Sequence, residues 1–142
     1  MYVRAFGALA LVLVTAASTS ASEPVFIGIP AYEQGMLERS DERSGPRFQD
    51  HYAMRGRAGE KIEIKVVADD IVVVATLRGH GLEQASQPNT SGESMVEVTL
   101  PRDGEYQIAV SGTEMGQYAL TVMDVCSAPH YLDANGQCVS PR

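Results

Sequence analysis

Three histidines, two cysteines and two pairs of adjacent carboxylates are the side chains of this sequence best suited to chemistry. Nucleophilic catalysis needs a Ser or Cys held beside a positioned base. The available bases are His51, His80 and His130, and none stands in a G-x-S-x-G or comparable setting. His51 alternates outward on a strand pattern, His80 lies between two glycines in a turn, and His130 lies close to the C-terminus. All three are expected as solvated surface residues. The carboxylate pairs are Asp41-Glu42 and Asp69-Asp70. Neighbours on a strand point to opposite faces, so Asp69 and Asp70 would not share a proton or flank one sugar ring. In a loop they could chelate calcium with backbone carbonyls, although capping of turns by Asp side chains is the commoner use. No glycine-rich phosphate loop is present. The expectation is a chain with no catalytic residue, no metal ligand and no cofactor.

Cys126 and Cys138 are the two cysteines, and the segment between them contains Asn135-Gly136, a strong turn former. An even count in an exported chain predicts a disulfide. Closing a loop of this length contributes about 3 kcal/mol in the chain-entropy account. A zinc site that also used His130 would lack a fourth ligand and any C-x₂-C spacing.

Export is predicted by the first 21 residues. Met1 to Arg4 carries one positive charge, Ala5 to Ala17 is an uncharged apolar run, and Ser18-Thr19-Ser20-Ala21 supplies the small residues of a cleavage site. Cleavage is expected after Ala21, with Ser20 the second choice. The run is shorter than the roughly 20 apolar residues of a bilayer span. Residues 1–21 are therefore expected as a signal peptide and the mature chain as periplasmic or secreted, without a membrane span. Loss of Arg4 moves the net charge from −7 to about −8,. Such a domain repels phosphate backbones, which argues against nucleic acid as a partner.

The elements that must carry these residues read almost wholly as strands. Residues 22–34 contain Pro24 and Pro30 without a clear period and read as an extended lead-in. Residues 38–47 mix both charge signs around Gly45-Pro46 and read as a solvated loop. From Phe48 the period is two. Phe48, Tyr52 and Met54 share a face with Asp50, and Ile62, Ile64 and Val66 alternate with Glu63 and Lys65. Val96, Val98 and Leu100 alternate with Glu97 and Thr99. Ile71 to Leu77 is nearly continuous and reads as a central strand covered on both faces. Gly104 to Val110 and Gly116 to Val122 both fit G-x-Y-x-[IL]-x-V, and the short link Ser111 to Met115 suits a hairpin. Turns are expected at Pro101-Arg102-Asp103-Gly104 and at Arg57-Ala58-Gly59-Glu60. Tyr106 and Tyr118 share parity with aliphatic residues, so they are expected in the core with their hydroxyls at the rim. Tyr32 and Tyr131 are the better surface candidates. The predicted core is Tyr52, Ile62, Ile64, Val66, Val73, Val98, Ile108, Val110, Leu120 and Val122. Short strands separated by turns argue for an all-β, antiparallel, jelly-roll-like sandwich over residues 35–124, with a disulfide-closed tail at 125–142.

The same residues carry a family likeness. Phe48-Gln49-Asp50-His51-Tyr52 followed by Arg57-Ala58-Gly59-Glu60-Lys61-Ile62 resembles the opening of bacterial pre-peptidase C-terminal domains. Leu100 to Val110 is similar to that family's "lp-x-x-G-x-Y-x-i-x-v" strand, and Gly116 to Val122 to its closing strand. The likeness covers roughly residues 33–124. It implies a jelly-roll-like sandwich exported by bacteria and found beside the catalytic domain of a secreted peptidase without being the catalyst. Some relatives bind collagen or polysaccharide, and some of those bind calcium. The 142 residues hold no peptidase domain, Asp69-Asp70-Ile71-Val72-Val73-Val74 departs from the family wording, and residues 125–142 are extra. A free-standing, non-enzymatic binding or accessory module is the resulting expectation, its partner an unidentified protein or polysaccharide. The alternatives are a small secreted hydrolase or peptidase-associated protein, and a self-associating envelope protein that uses an exposed sheet edge.

Overall fold

Period-two alternation lets each strand bury one side and wet the other, so two such sheets must close on each other. A computed structural model describes residues 23–88, 92–126, 131–134 and 138–139. The expected signal peptide, the Asn89-Thr90-Ser91 segment, His130 and Asn135-Gly136 lie outside the described residues.

The strands are β1 (Val25–Ile27), β2 (Ala31–Leu37), β3 (Glu42–Ser44), β4 (Arg47–Gly56), β5 (Lys61–Val67), β6 (Val74–Gly79), β7 (Leu82–Ala85), β8 (Glu93–Thr99), β9 (Gly104–Gly112), β10 (Gly116–Asp124), β11 (Tyr131–Leu132) and β12 (Cys138–Val139). A first sheet runs β1-β4-β9-β6-β7, with β3 also paired to β4, and a second runs β2-β10-β5-β8. Successive long strands repeatedly switch sheets, which is the two-layer wiring of a jelly roll. Every pairing is antiparallel except β1 with β4, which is parallel from Val25↔Tyr52 to Ile27↔Met54. No helix occurs among the described residues, hence none long and apolar enough to cross a membrane.

The inner faces meet in one apolar cluster that contains all ten predicted core residues and adds Leu37, Phe48, Met54, Leu77, Leu100, Tyr106 and Tyr118, among others. Turn chemistry sets the ends. Glu60 N donates to Arg57 O at 3.1 Å, with Gly59 at φ +82°, and Ala58 N donates to Asp103 Oδ1 at 2.7 Å, which pins the 57–60 turn to the 101–104 turn. His80 and Gly81 form the two-residue β6–β7 hairpin loop, both with positive φ as a type I′ turn requires.

Several expectations are corrected. The two G-x-Y segments are not a hairpin. β9 lies in the first sheet and β10 in the second, so the link Thr113–Met115 arches between the layers. A short link is sterically compatible with either route, and the pairing partners β4, β6, β2 and β5 decide. Ile71 to Leu77 is not one doubly covered strand. β6 begins only at Val74, and burial alternates, with Val73, Ala75 and Leu77 inward and Val72 exposed. A two-layer sandwich has no third layer to cover its outer faces. Residues 38–47 are not wholly loop, because β3 pairs with β4 through a Gly45-Pro46 turn, Ser44 facing Arg47. The segment 22–34 supplies strands to both sheets.

Cys126 and Cys138 are joined in a disulfide. Val125 N donates to Lys61 O at 2.9 Å, which holds the start of the tail on β5, and β11 pairs with β12 beyond it.

Truncation of Ile108, fully buried at the centre of β9, should cost about 2–5 kcal/mol as Ile108→Ala, measured by chemical denaturation. A loss under about half a kcal/mol would mean the side chain does not face the core. Reduction should lower the thermal midpoint yet leave a cooperative transition, because both main sheets are complete before Cys126. Complete unfolding on reduction at room temperature would show instead that the tail belongs to the core.

Candidate functional site

Asp50 sits on the inward parity of β4, between Phe48 and Tyr52. A carboxylate aimed into a sandwich needs a donor, and the opposite sheet provides one. Tyr118 of β10 crosses the interior and donates its hydroxyl to Asp50 Oδ2 at 2.6 Å. The hydroxyls of Tyr52 and Tyr118 are 2.6 Å apart. The Tyr118 proton is committed to the carboxylate, so Tyr52 donates to Tyr118, and the chain Tyr52→Tyr118→Asp50 spans the layers. The Tyr118 ring passes over Gly35, its cross-strand neighbour on β2, where a Cβ would overlap the ring. Glycine is required there by close approach. The hydroxyl of Tyr118 is therefore internal rather than at the rim. The Tyr106 hydroxyl donates to Arg102 O at 2.6 Å and accepts from Arg102 N at 3.1 Å, which locks the turn before β9.

Burial pushes the Asp50 carboxyl above the usual carboxylate range, the Tyr118 hydrogen bond opposes it, and the charges of Asp41 and Glu38 push it further up. Burial likewise raises the Tyr118 phenol, and its hydrogen bonds to Asp50 and Tyr52 add to the rise. Burial raises Tyr52 as well. These phenols stay protonated, which suits a structural bridge and not a nucleophile.

The remaining chemical candidates are dispersed. His51 Nε2 lies 3.1 Å from Glu42 Oε2, its side chain only 19% exposed, so it packs against β3 instead of standing free in solvent. His80 is exposed but edge-on to Tyr106, ring centroids 5.1 Å apart. Asp41 Oδ2 accepts from Glu38 N at 2.5 Å, and Asp69 and Asp70 lie exposed in the bend after β5. Glu60 and Asp124 share a polar hollow of about 440 Å³ with Arg55 and Arg57. Burial raises both carboxyls, Asp124 raises Glu60 further, and Arg57 opposes the rise in each. Among the described residues no three His, Cys, Asp or Glu side chains gather as metal ligands.

What is concentrated is apolar exposure. Tyr32 and Met36 of β2, Met123 of β10, Val67 of β5 and Met95 of β8 are all exposed, and strand parity puts all five on the outer face of the second sheet. Register aligns Tyr32, Thr121, Lys65 and Met95 in one row across the four strands. Lys61–Glu97 at 3.4 Å and Lys65–Glu93 at 3.8 Å lie on the same face, with Lys65, Glu93 and Glu97 around Met95. A groove of about 470 Å³ opens on this face beside Gln34, Met36, Val67, Gln117 and Ala119. Tyr32, singled out from the sequence as a surface candidate, lies on the face. The methionines were not singled out; outward parity was visible for Met95 and Met123, whereas Met36 lies where no period was read.

No family model matches the chain and no curated protein matches it. Solved structures do. The pre-peptidase C-terminal domain of a collagenase from Bacillus anthracis superposes with TM-score 0.58 at 19% identity, covering 70% of this chain and 94% of that one. PliG from Salmonella Typhimurium, a periplasmic inhibitor of g-type lysozyme, gives 0.50 at 16% identity over 71% of this chain and 99% of that one. A PliG mutant from Escherichia coli gives 0.50 at 12%, over 72% and 100%. At such identities the likeness establishes a fold like that of pre-peptidase C-terminal domains.

Tyr118→Phe leaves Tyr52 and Asp50 without their buried partner and should cost about 1–3 kcal/mol in a denaturation measurement. Asp50 also predicts a pH dependence. Its folded-state pKa is raised above 3.8, so its contribution to stability is full below that pH and is lost as pH rises through the folded value. Asp50→Asn keeps an acceptor for Tyr118 but cannot ionise. Its thermal midpoint should fall less between acid and neutral pH than that of the unsubstituted protein, and an unchanged slope would refute the assignment.

Proposed function

We propose that this chain is an exported, non-catalytic β-sandwich module whose partner is a protein, bound on the outer face of the second sheet. The observation that carries this is the gathering of Tyr32, Met36, Val67, Met95 and Met123 on that face. Large apolar side chains left exposed on one face, here interspersed with polar and charged ones, favour an association surface. Tyrosine and methionine are enriched at the cores of interfaces, and unbranched methionines adapt to a partner's relief. The polar groups that bridge the two layers, Asp50, Tyr52 and Tyr118, are used up in mutual hydrogen bonds, which favours a structural role for them over a reactive one. Use of this fold by periplasmic lysozyme inhibitors supports a module that acts by binding a protein. The Cys126–Cys138 disulfide supports a location outside the cytoplasm.

The face makes the proposal testable by substitution. Met95→Lys combined with Met123→Glu should leave the fold intact, since both side chains are exposed, and should weaken capture of the partner by about tenfold or more. Gln107→Lys, on the outer face of the first sheet, should not. Quantitative capture from envelope extract, compared across the three proteins and beside a glycan array, provides the measurement. Equal capture by all three, or binding to glycans alone, would overturn the assignment.

A further inference from the structure

The edges of the two sheets are not equally protected. β7 has four residues, and β1 and β3 have three each, too short to template another strand. β8 has seven, but two are Glu93 and Glu97, held in ion pairs with Lys65 and Lys61. β2 also has seven residues, pairs among the described residues with β10 alone, and keeps an unbroken register from Ala31↔Val122 to Leu37↔Gly116. It contains one charge, Glu33, and no proline or bulge. A long, flat, nearly uncharged edge is an open template for strand pairing.

We infer that β2 is an association edge through which two copies of this chain pair antiparallel, about a twofold axis at Gln34. The sequence Ala31-Tyr32-Glu33-Gln34-Gly35-Met36-Leu37 is self-complementary in that register. Tyr32 faces the second copy's Met36, and Met36 faces the second copy's Tyr32. Both residues are on the outer side, 64% and 43% exposed, so each pairing gives an aromatic–sulfur contact. Glu33 faces the second copy's Gly35, which keeps the carboxylates apart. A slip that centres the axis on Glu33 sets like charges directly opposite, so the register is specified. Neighbouring strands are about 4.8 Å apart. At that spacing the second copy's Tyr32 reaches the mouth of the groove that opens beside Gln34 and Met36. The pairing joins two four-stranded sheets into one continuous surface and doubles the outer face.

The contact is narrow beside the roughly 1,600 Å² of a standard interface, so the dimer is weak and concentration-dependent. Each copy carries a net charge of −7, so the approach is opposed by long-range repulsion that salt screens. Association therefore strengthens with ionic strength, the reverse of an interface built on ion pairs.

Sedimentation velocity of the purified protein over roughly a hundredfold range of concentration, at low and high salt, should show a dimer fraction that rises with both. Gln34→Lys places lysines opposite each other at the axis while making the molecule less acidic overall, and should weaken the dimer about tenfold. Thr99→Lys, on the β8 edge, should not weaken it. Gln34→Cys should crosslink two copies under mild oxidation, because residues opposite on an antiparallel pair lie within disulfide reach. A strict monomer at every concentration, with no crosslink in Gln34→Cys, overturns the inference. So does a dimer weakened by Thr99→Lys and indifferent to Gln34→Lys. Neither result touches the protein-binding face, whose test uses Met95 and Met123.

Discussion

The long strands of this protein carry most of their aliphatic side chains on one side, and water will not accept that side. Ile62, Ile64 and Val66 of β5 cannot be buried without Ile108 and Val110 of β9 and their neighbours facing them. Closure of one layer on the other is the condition on which the other features rest. It brings Asp50 and Tyr118, 68 positions apart, within 2.6 Å, and it leaves the outer faces with no layer to cover them.

Closure also has a cost, because polar atoms are trapped between the layers. The fold meets it with partners from opposite sheets. On one flank Tyr52, Tyr118 and Asp50 satisfy one another. On another, Ser94 of β8 donates to Ser86 Oγ and lies 2.9 Å from Gln87 O, while Ser86 Oγ accepts from Ala75 N at 2.9 Å. Hydrogen bonds of this kind add little net stability but are costly to leave half made, so they fix how the layers are placed over each other. An apolar interior alone would tolerate several offsets.

The outer faces differ for a related reason. On the first sheet Ala53, Ala109 and Ser111 are small and buried, and Phe26 of β1 is exposed at the edge. On the second sheet methionine, valine and tyrosine share the outward positions with charged and polar residues. The difference between the two outer faces is one of side-chain choice.

Much of this was legible in the residues. Period two from Phe48 onward announced strands, and parity alone named ten residues that all prove to be buried. Glycine and proline positions announced the turns at 57–60 and 101–104, since local backbone preferences act over a few residues and need no distant partner. Pairing did not follow from the same evidence. The twin G-x-Y strands read as a hairpin because a short link fits a turn within a sheet as well as an arch between sheets. Asp50 was visible on the inward parity of β4, yet its partner lay 68 positions away, and no local rule connects them. The outward methionines could be placed on a side of each strand but not on a common face, because their strands are neighbours only through long-range register. The sequence by itself determined which side of β4, β5, β8, β9 and β10 is dry. Tertiary structure decided which dry sides meet and which wet sides adjoin, because pairing energy depends on contacts between segments that the chain brings together only on folding.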